Sequence, residues 1–435
     1  ISCSLVGSEM CIRDRYKAYW NDGAQMIAPH DVNTINYVNE VKSVSEIKFE
    51  GDKSKIQIIG EDIDTVYLEK IKALSLSPEA IKKHHDMKIV YTPIHGTGGK
   101  LIPRSLKNFG FTNIINVPEQ DIESGDFPTV ESPNPEEPSA MAMGIAKAKE
   151  TGAEIVLASD PDADRIGLVI RDNNGEYVLI NGNQIALIFL NYLMTRNTEL
   201  GTLTGNEYIV KTIVTTETIR KIAEAQHIKM FDCYTGFKWI ASVMRENEGK
   251  GRYLGGGEES YGFLVQDFVR DKDSVSAISI MAEIAAWAKE KGMNMIEMLE
   301  DIYLKYGFSR EKGISLVRKG KSGAEEIAAI MKQFRENPPK TLAGSPVVVM
   351  KDFQSLVKTN TTDGTTENLD MPTTSNVLQY FTADDTKVSI RPSGTEPKIK
   401  FYIEVRDNLK DAADYAAAQE RADKKIEQLK KDLGI

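Results

Sequence analysis

EIVLASDPDADRIGLVIR, residues 154–171, sets two short apolar runs on either side of an aspartate-rich turn. Such runs, bounded by turn-formers, read as buried strands. A third, KIVY, lies upstream at 88–91. Helical spacing with few breakers covers 138–151 and 216–226, and longer helices fit 181–192 and 275–291. The last of these is rich in Ala and Ile on one face. Strand and helix signals alternate from about residue 87 to 310, which predicts βα units and a largely parallel sheet. FPTVESPNPEEP (127–138) carries four prolines and reads as a loop.

The last quarter changes character. A helix over 322–336 is followed by Pro338 and Pro339, which break the chain. Residues 388–391 and 399–405 read as two strands. In the second, Ile399, Phe401, Ile403 and Val405 alternate with Lys400, Tyr402 and Glu404, a half-buried pattern. A long helix over 409–433 carries Ala412, Tyr415, Ala422, Ile426, Leu429 and Leu433 on one stripe, expected to pack on that sheet. The fold class is therefore α/β, with consecutive α/β domains and a C-terminal α+β domain. Domains are expected at 85–185, 186–310 and 311–435. Residues 16–80 mix strands with loops and hold too little apolar matter to complete another. Residues 1–15, ISCSLVGSEMCIRDR, have no clear period and read as a foreign or disordered segment.

Composition narrows the function. Of 435 residues, 54 are basic and 64 acidic, a net charge of −10, which argues against a nucleic-acid binder. No run of 18 apolar residues occurs, so no membrane-spanning helix is expected. Three widely spaced cysteines (Cys3, Cys11, Cys233) form no CxxC, which suits a reducing, cytoplasmic setting. His30, His84, His85 and His227 show no ligand spacing.

The chemistry-bearing strings come next. Asp160, Asp162 and Asp164 stand at i, i+2 and i+4 just after a strand. In an extended loop alternate side chains share a side, so three carboxylates would converge. Their repulsion is relieved by a divalent cation, and oxygen-only ligands suit Mg²⁺. Arg165 beside them suits a phosphate on the same ion. An EF-hand fails, because Arg165 and Arg171 stand where Gly and Glu are needed. A phosphatase with a nucleophilic aspartate would use Asp160 and Asp162 but leaves Asp164 idle. An acidic surface turn is the plain alternative. GGGEESYG (255–262) offers Glu258 and Ser260, two apart, as readers of vicinal sugar hydroxyls, or equally a glycine-rich turn. RPSGTEPK (391–398) sets Arg391, Ser393 and Thr395 round Gly394 between two strands, an anion cradle. Lys238 in YTGFK, and Arg270 and Lys272 in RDKD, read alone as solvated charges; in a cleft they would move protons or hold an anion. HGTGG (95–99) reads as a structural connection after a strand.

Taken in order, eight strings make the sequence resemble the α-D-phosphohexomutase superfamily, in its phosphoglucomutase/phosphopentomutase-like branch. They are YKAYWNDGAQ (16–25), YTPIHGTGG (91–99), SPNPEE (132–137), DPDADR (160–165), TGFKWI (235–240), GGEESYG (256–262), RDKDSV (270–275) and RPSGTEPKIKFY (391–402). The resemblance runs from Tyr16 to the end. It implies three α/β domains and a C-terminal α+β domain round a cleft, with 16–84 a remnant of the first. It implies Mg²⁺ on Asp160, Asp162 and Asp164, and Arg165 beside the reacting phosphate. Glu258 and Ser260 would read sugar hydroxyls, and Arg391, Ser393, Gly394 and Thr395 would clamp the resting phosphate. Lys238 would move a proton, Lys17 would be a minor cleft residue, and Arg270 and Lys272 would help hold the anion. Glu259 is similar to glucose-type members. The implied reaction moves a phosphoryl group between hexose C1 and C6, or pentose C1 and C5, through an enzyme phosphoserine and a bisphosphate. The implied partner is a phosphorylated sugar; oligomeric state is not readable.

One departure stands out. A serine loop like TASHNP should precede YKAYW, and Ser2, Ser4 and Ser8 lack those surroundings. The expectation for these 435 residues is therefore no more than trace mutase activity, with apolar surface bared in the first domain and aggregation favoured. A non-catalytic phosphosugar-binding fragment is the alternative of another class.

Overall fold

The computed structural model describes residues 18–318, 320–393 and 397–435, with backbone alone for 320–322. The described residues divide into two compact units, 18–212 with 223–298, and 213–222 with 299–435. Among the described residues no helix is long and apolar enough to cross a membrane.

The first unit opens with helices, not the strands expected over 16–80: α1 (His30–Glu40), α2 (Glu61–Lys72) and α3 (Pro78–Lys83). In α1, Val32, Ile35 and Val38 recur every third residue, a helical period that short β-branched stretches disguise. None of these three is buried, and Phe49 and Ile58 further along are 79% and 88% exposed.

A five-stranded sheet follows, with β1 (Ile89–Thr92), α4 (Gly98–Phe109), β2 (Ile114–Asn116), α5 (Pro138–Thr151), β3 (Ile155–Ser159), β4 (Ile166–Arg171) and β5 (Tyr177–Leu179). Its strand order is β2-β1-β3-β4-β5. β1 runs parallel to β2 and β3, but β3–β4 and β4–β5 are antiparallel. The expected parallel character thus holds for half the sheet, and the aspartate turn closes a hairpin. The register Ser159↔Ile166 leaves the six residues 160–165 as its loop.

After α6 (Gly182–Glu199), capped by the Asn181 side chain and Gln184, comes a four-stranded sheet. It contains β6 (Glu207–Thr212), β7 (Lys229–Cys233), β8 (Arg252–Gly257) and β9 (Phe263–Val265) in the order β7-β6-β8-β9. α7 (Thr218–Ala225) and α8 (Phe237–Glu246) lie in its connections. α9 (Ser274–Glu290) is buried at every position from Ser274 to Ala288, not on one face only. It packs on β3 and β4 of one sheet, β9 of the other, and α3, α4 and α6. A helix apolar all round belongs in a core, and here it ties both sheets into one body.

The main part of the second unit begins within α10 (Met295–Tyr306) and is the α+β arrangement expected. β10 (Phe308–Val317), α11 (Gly320–Glu336), β11 (Thr341–Leu342), β12 (Ser345–Asp352), β13 (Val357–Asn360), β14 (Thr366–Asn368), β15 (Leu378–Thr382), β16 (Lys387–Pro392) and β17 (Lys398–Asp407) precede α12 (Tyr415–Leu433). The sheet order is β10-β17-β16-β15-β12-β13-β14, with β11 beside β12. α12 packs on β17 and β10 through Ala418, Ala422, Ile426, Leu429 and Leu433. Ala412 does not share that stripe: it is exposed in a 3₁₀ turn before the helix.

Candidate active site

The hairpin loop between β3 and β4 is wound round Asp160. Its Oδ1 accepts the N–H groups of Asp164 (3.0 Å) and Arg165 (2.9 Å), and its carbonyl accepts that of Ala163 (3.0 Å). Ala163 lies in the left-handed region, φ 54°. The carboxylates of Asp160, Asp162 and Asp164 therefore converge through a tight turn, not through alternation along an extended strand. One oxygen from each lies within 4.8 Å of the others. Burial pushes the Asp160 carboxyl well above the usual range, and Asp164 and Asp162 add to it against the pull of Arg165. A desolvated cluster of carboxylate oxygens fits a hard divalent cation, which offsets their mutual repulsion. Arg165 Nε stands 3.8 Å from both Asp160 Oδ2 and Asp164 Oδ1, and its Nη1 3.5 Å from Glu136 in the proline-rich loop.

The HGTGG turn braces this loop from behind. Thr97 donates to the Pro161 carbonyl from its N–H (2.9 Å) and its hydroxyl (3.1 Å). A Cβ on Gly96 would stand 2.3 Å from Pro161 Cα, so only glycine allows the approach. His95 is held by the Ile122 carbonyl and Thr129. These contacts give the turn a structural task, the one its sequence suggested.

The EESYG loop joins β8 to β9 and is stitched to the same hairpin. Ile166 N–H donates to the Tyr261 carbonyl at 3.0 Å, and Ser274 at the start of α9 binds the carbonyls of Ala163 and Arg165. Glu258 is 4% exposed and accepts the Gly236 N–H at 2.7 Å. Burial lifts its carboxyl above the usual range, with Lys272 pulling the other way. Ser260 is half-buried, and Glu259 accepts the Thr212 hydroxyl at 3.0 Å.

The two RDKD cations separate. Lys272 reaches over Gly262 and sets its ammonium 2.6 Å from Asp164 Oδ2. Burial works against that charge, but Asp164, Asp271 and Glu258 outweigh it and hold the pKa above the usual lysine value. Arg270 pairs with Glu248 (3.1 Å) and Asp22 (3.9 Å). Lys238, half-buried in the first turn of α8, has its ammonium 5.4 Å from the Trp239 ring centroid.

In the second unit, Arg391 and Ser393 stand where β16 ends, Arg391 opposite Lys400 and Ser393 N–H bonded to the Lys398 carbonyl at 2.8 Å. Gly394, Thr395 and Lys17 lie outside the described residues.

Sequence reasoning missed the acidic half of the RDKD string. Asp271 accepts the Tyr19 hydroxyl (2.5 Å), and Asp273 accepts that of Tyr67 (2.7 Å) and the Val275 N–H (2.9 Å). An Asp directly before an apolar helix is an N-cap signal and could have revealed Asp273.

Profiles of the phosphoglucomutase/phosphomannomutase family match three stretches: α/β/α domain II over residues 65–175, α/β/α domain III over 181–306, and the C-terminal domain over 316–422. The aspartate hairpin falls in the first, the EESYG loop in the second and Arg391 in the third. A phosphoglucomutase of Staphylococcus haemolyticus is 32% identical over 395 residues, 90% of this chain and 71% of that protein. The chain belongs to the phosphoglucomutase/phosphomannomutase family. A Staphylococcus aureus phosphoglucomutase of the same family is 31% identical over 390 residues, covering 90% of this chain and 69% of that one. Among solved structures, the parafusin (phosphoglucomutase) of Paramecium superposes with a TM-score of 0.65 at 16% identity, over 96% of this chain and 74% of that one. A family member from Burkholderia thailandensis gives 0.57 at 19% identity, over 86% and 65%. These likenesses establish the fold. Phosphoglucomutases are isomerases, so the enzyme class of this family is an intramolecular phosphotransferase.

Proposed function

We propose that the protein serves the interconversion of glucose 1-phosphate and glucose 6-phosphate, with Mg²⁺ on Asp160, Asp162 and Asp164. One observation carries the reading: three carboxylates converge within 4.8 Å on a hairpin bonded to the loop that presents Glu258 and Ser260. Mg²⁺, when bound, would neutralise charge on a phosphoryl group in transfer. The chain's own residues do the rest. Arg165 and Lys272 stand beside the aspartates to hold phosphate oxygens. Glu258, buried and fixed by the Gly236 N–H, accepts from sugar hydroxyls with Ser260. Arg391, Ser393, Gly394 and Thr395 grip the resting phosphate. Lys238 moves a proton, Arg270 and Lys17 are supporting cleft residues, and the setting is cytoplasmic. The glucose preference rests on the names of the relatives and on Glu259; pentose phosphates are the alternative substrates.

The test is titration calorimetry of the full chain with glucose 1-phosphate and ribose 1-phosphate, with and without Mg²⁺. Glucose 1-phosphate should bind in a Mg²⁺-dependent way. Asp160→Asn keeps an oxygen for both N–H donors but removes the charge, so Mg²⁺ affinity should fall on the order of tenfold or more with an unchanged melting temperature. Binding of neither sugar, or an unchanged Mg²⁺ affinity in Asp160→Asn, would refute the reading.

A further inference from the structure

The strap over residues 18–26 is a small turn, closed by Met26 N–H to the Ala18 carbonyl (3.0 Å) and Trp20 N–H to the Ala24 carbonyl (2.9 Å). It lies on the RDKD string. Ala24 bridges Arg270, Asp22 pairs with Arg270 and Arg245, and the Tyr19 hydroxyl donates to Asp271 Oδ2. Three of the four RDKD side chains are thus fastened to partners away from the aspartate cluster: Arg270 to Asp22 and Glu248, Asp271 to Tyr19, Asp273 to Tyr67. Lys272 is the one directed at the aspartate cluster.

We infer that Tyr19 is a positioning residue, which keeps Asp271 occupied and thereby directs the Lys272 ammonium to Asp164. The geometry is a contest between carboxylates. Lys272 Nζ is 2.6 Å from Asp164 Oδ2 and 3.9 Å from Asp271 Oδ1. Glu258 also faces it. Its side chain is only 13% exposed and lies over the bare Cα of Gly262, where an added Cβ would meet Lys272 Cδ at 2.5 Å. The ammonium therefore chooses among neighbours by charge, not by swinging away. Asp271 competes weakly because Oδ2 takes the Tyr19 hydroxyl and Oδ1 takes the Lys272 N–H at 2.8 Å. Without the phenol oxygen, Oδ2 loses its donor and Asp271 draws the ammonium toward itself. Asp164 is then freer to meet a cation. The inference rests on the cation reading of the three aspartates.

The experiment uses Mn²⁺ alone on the full chain, with free ion counted by electron paramagnetic resonance. Tyr19→Phe should tighten Mn²⁺ binding by about threefold, the scale of one charged hydrogen bond partly redirected. A merely loosened site would bind more weakly, so the sign separates positioning from general structural support. The gain should vanish in the Asp271→Asn and Lys272→Met backgrounds, where carrier or competitor is gone. Weaker or unchanged binding in Tyr19→Phe, or a gain that survives in either background, would overturn the inference while leaving the cation site standing. Failure of the unaltered chain to bind Mn²⁺ would instead overturn the cation site, and the inference with it.

Discussion

Gly96→Ala tests whether the HGTGG turn sets the shape of the aspartate loop. The added methyl would meet Pro161 Cα at 2.3 Å, its carbonyl oxygen at 2.6 Å and its carbonyl carbon at 2.8 Å. All three are backbone atoms, so no side-chain rotation relieves the clash. Overpacking of this kind costs about 1–3 kcal/mol. The two Thr97 bonds to the Pro161 carbonyl stand to be lost as the turn and the aspartate loop part, at about 1 kcal/mol each. The total is about 3–5 kcal/mol, and for a unit of this size each kcal/mol lowers the melting temperature by about 2–4 °C. Pro161 lies between two of the converging aspartates, so the shift also spoils their geometry. Differential scanning fluorimetry with and without Mn²⁺ reads both effects: the melting temperature should drop, and the Mn²⁺-induced rise should shrink or vanish. Gly125→Ala is the control, since nothing lies within 4 Å of its added methyl. A Gly96→Ala protein that melts like the Gly125→Ala control and responds normally to Mn²⁺ would refute the reasoning.

Two further outcomes concern the second unit. Lys387, 2% exposed, donates to Glu217 (3.0 Å) and the Thr215 carbonyl (2.8 Å) and lies 3.1 Å from Glu404. Lys387→Met removes the buried cation that those carboxylates share, leaving Glu404 with Arg406 and Glu217 with Arg220, and should cost about 2–3 kcal/mol in urea unfolding; a loss under about 1 kcal/mol would show that the network tolerates its absence. Burial works upward on the Asp384 carboxyl, but hydrogen bonds from Lys425 and Thr382 outweigh it and bring its pKa from 3.8 to about 2. A carboxyl depressed on folding stabilises above its unfolded value and loses that contribution as pH falls toward its folded one. Asp384→Asn should therefore flatten the decline in stability over this acid window, and an unchanged acid limb would contradict it.

Much of this fold was legible because its signals are local. The helix over 138–151 matches α5, and the alternation from Ile399 to Val405 is β17, with Ile399, Phe401, Ile403 and Val405 all buried. The three aspartates were legible for the same reason, since a turn inside a hairpin keeps its converging carboxylates close in sequence. Strand direction was not, because EIVLA and IGLVI carry the same apolar signal whether they run parallel or antiparallel. Nor was the full burial of α9, whose polar-looking Ser276, Ser279 and Glu283 find partners inside the core. Tyr19 was beyond reach because its partner, Asp271, is 252 positions away. Pairings of that range leave no periodicity.

The burial of α9 on every side has one more consequence. A rod gripped round its whole circumference cannot roll or slide without disturbing both sheets it touches. It therefore acts as the fixed jaw of a caliper, with the aspartate turn and the EESYG loop as its two points. Under the function proposed above, a phosphosugar spanning them would meet a spacing set in advance by this rigid gauge.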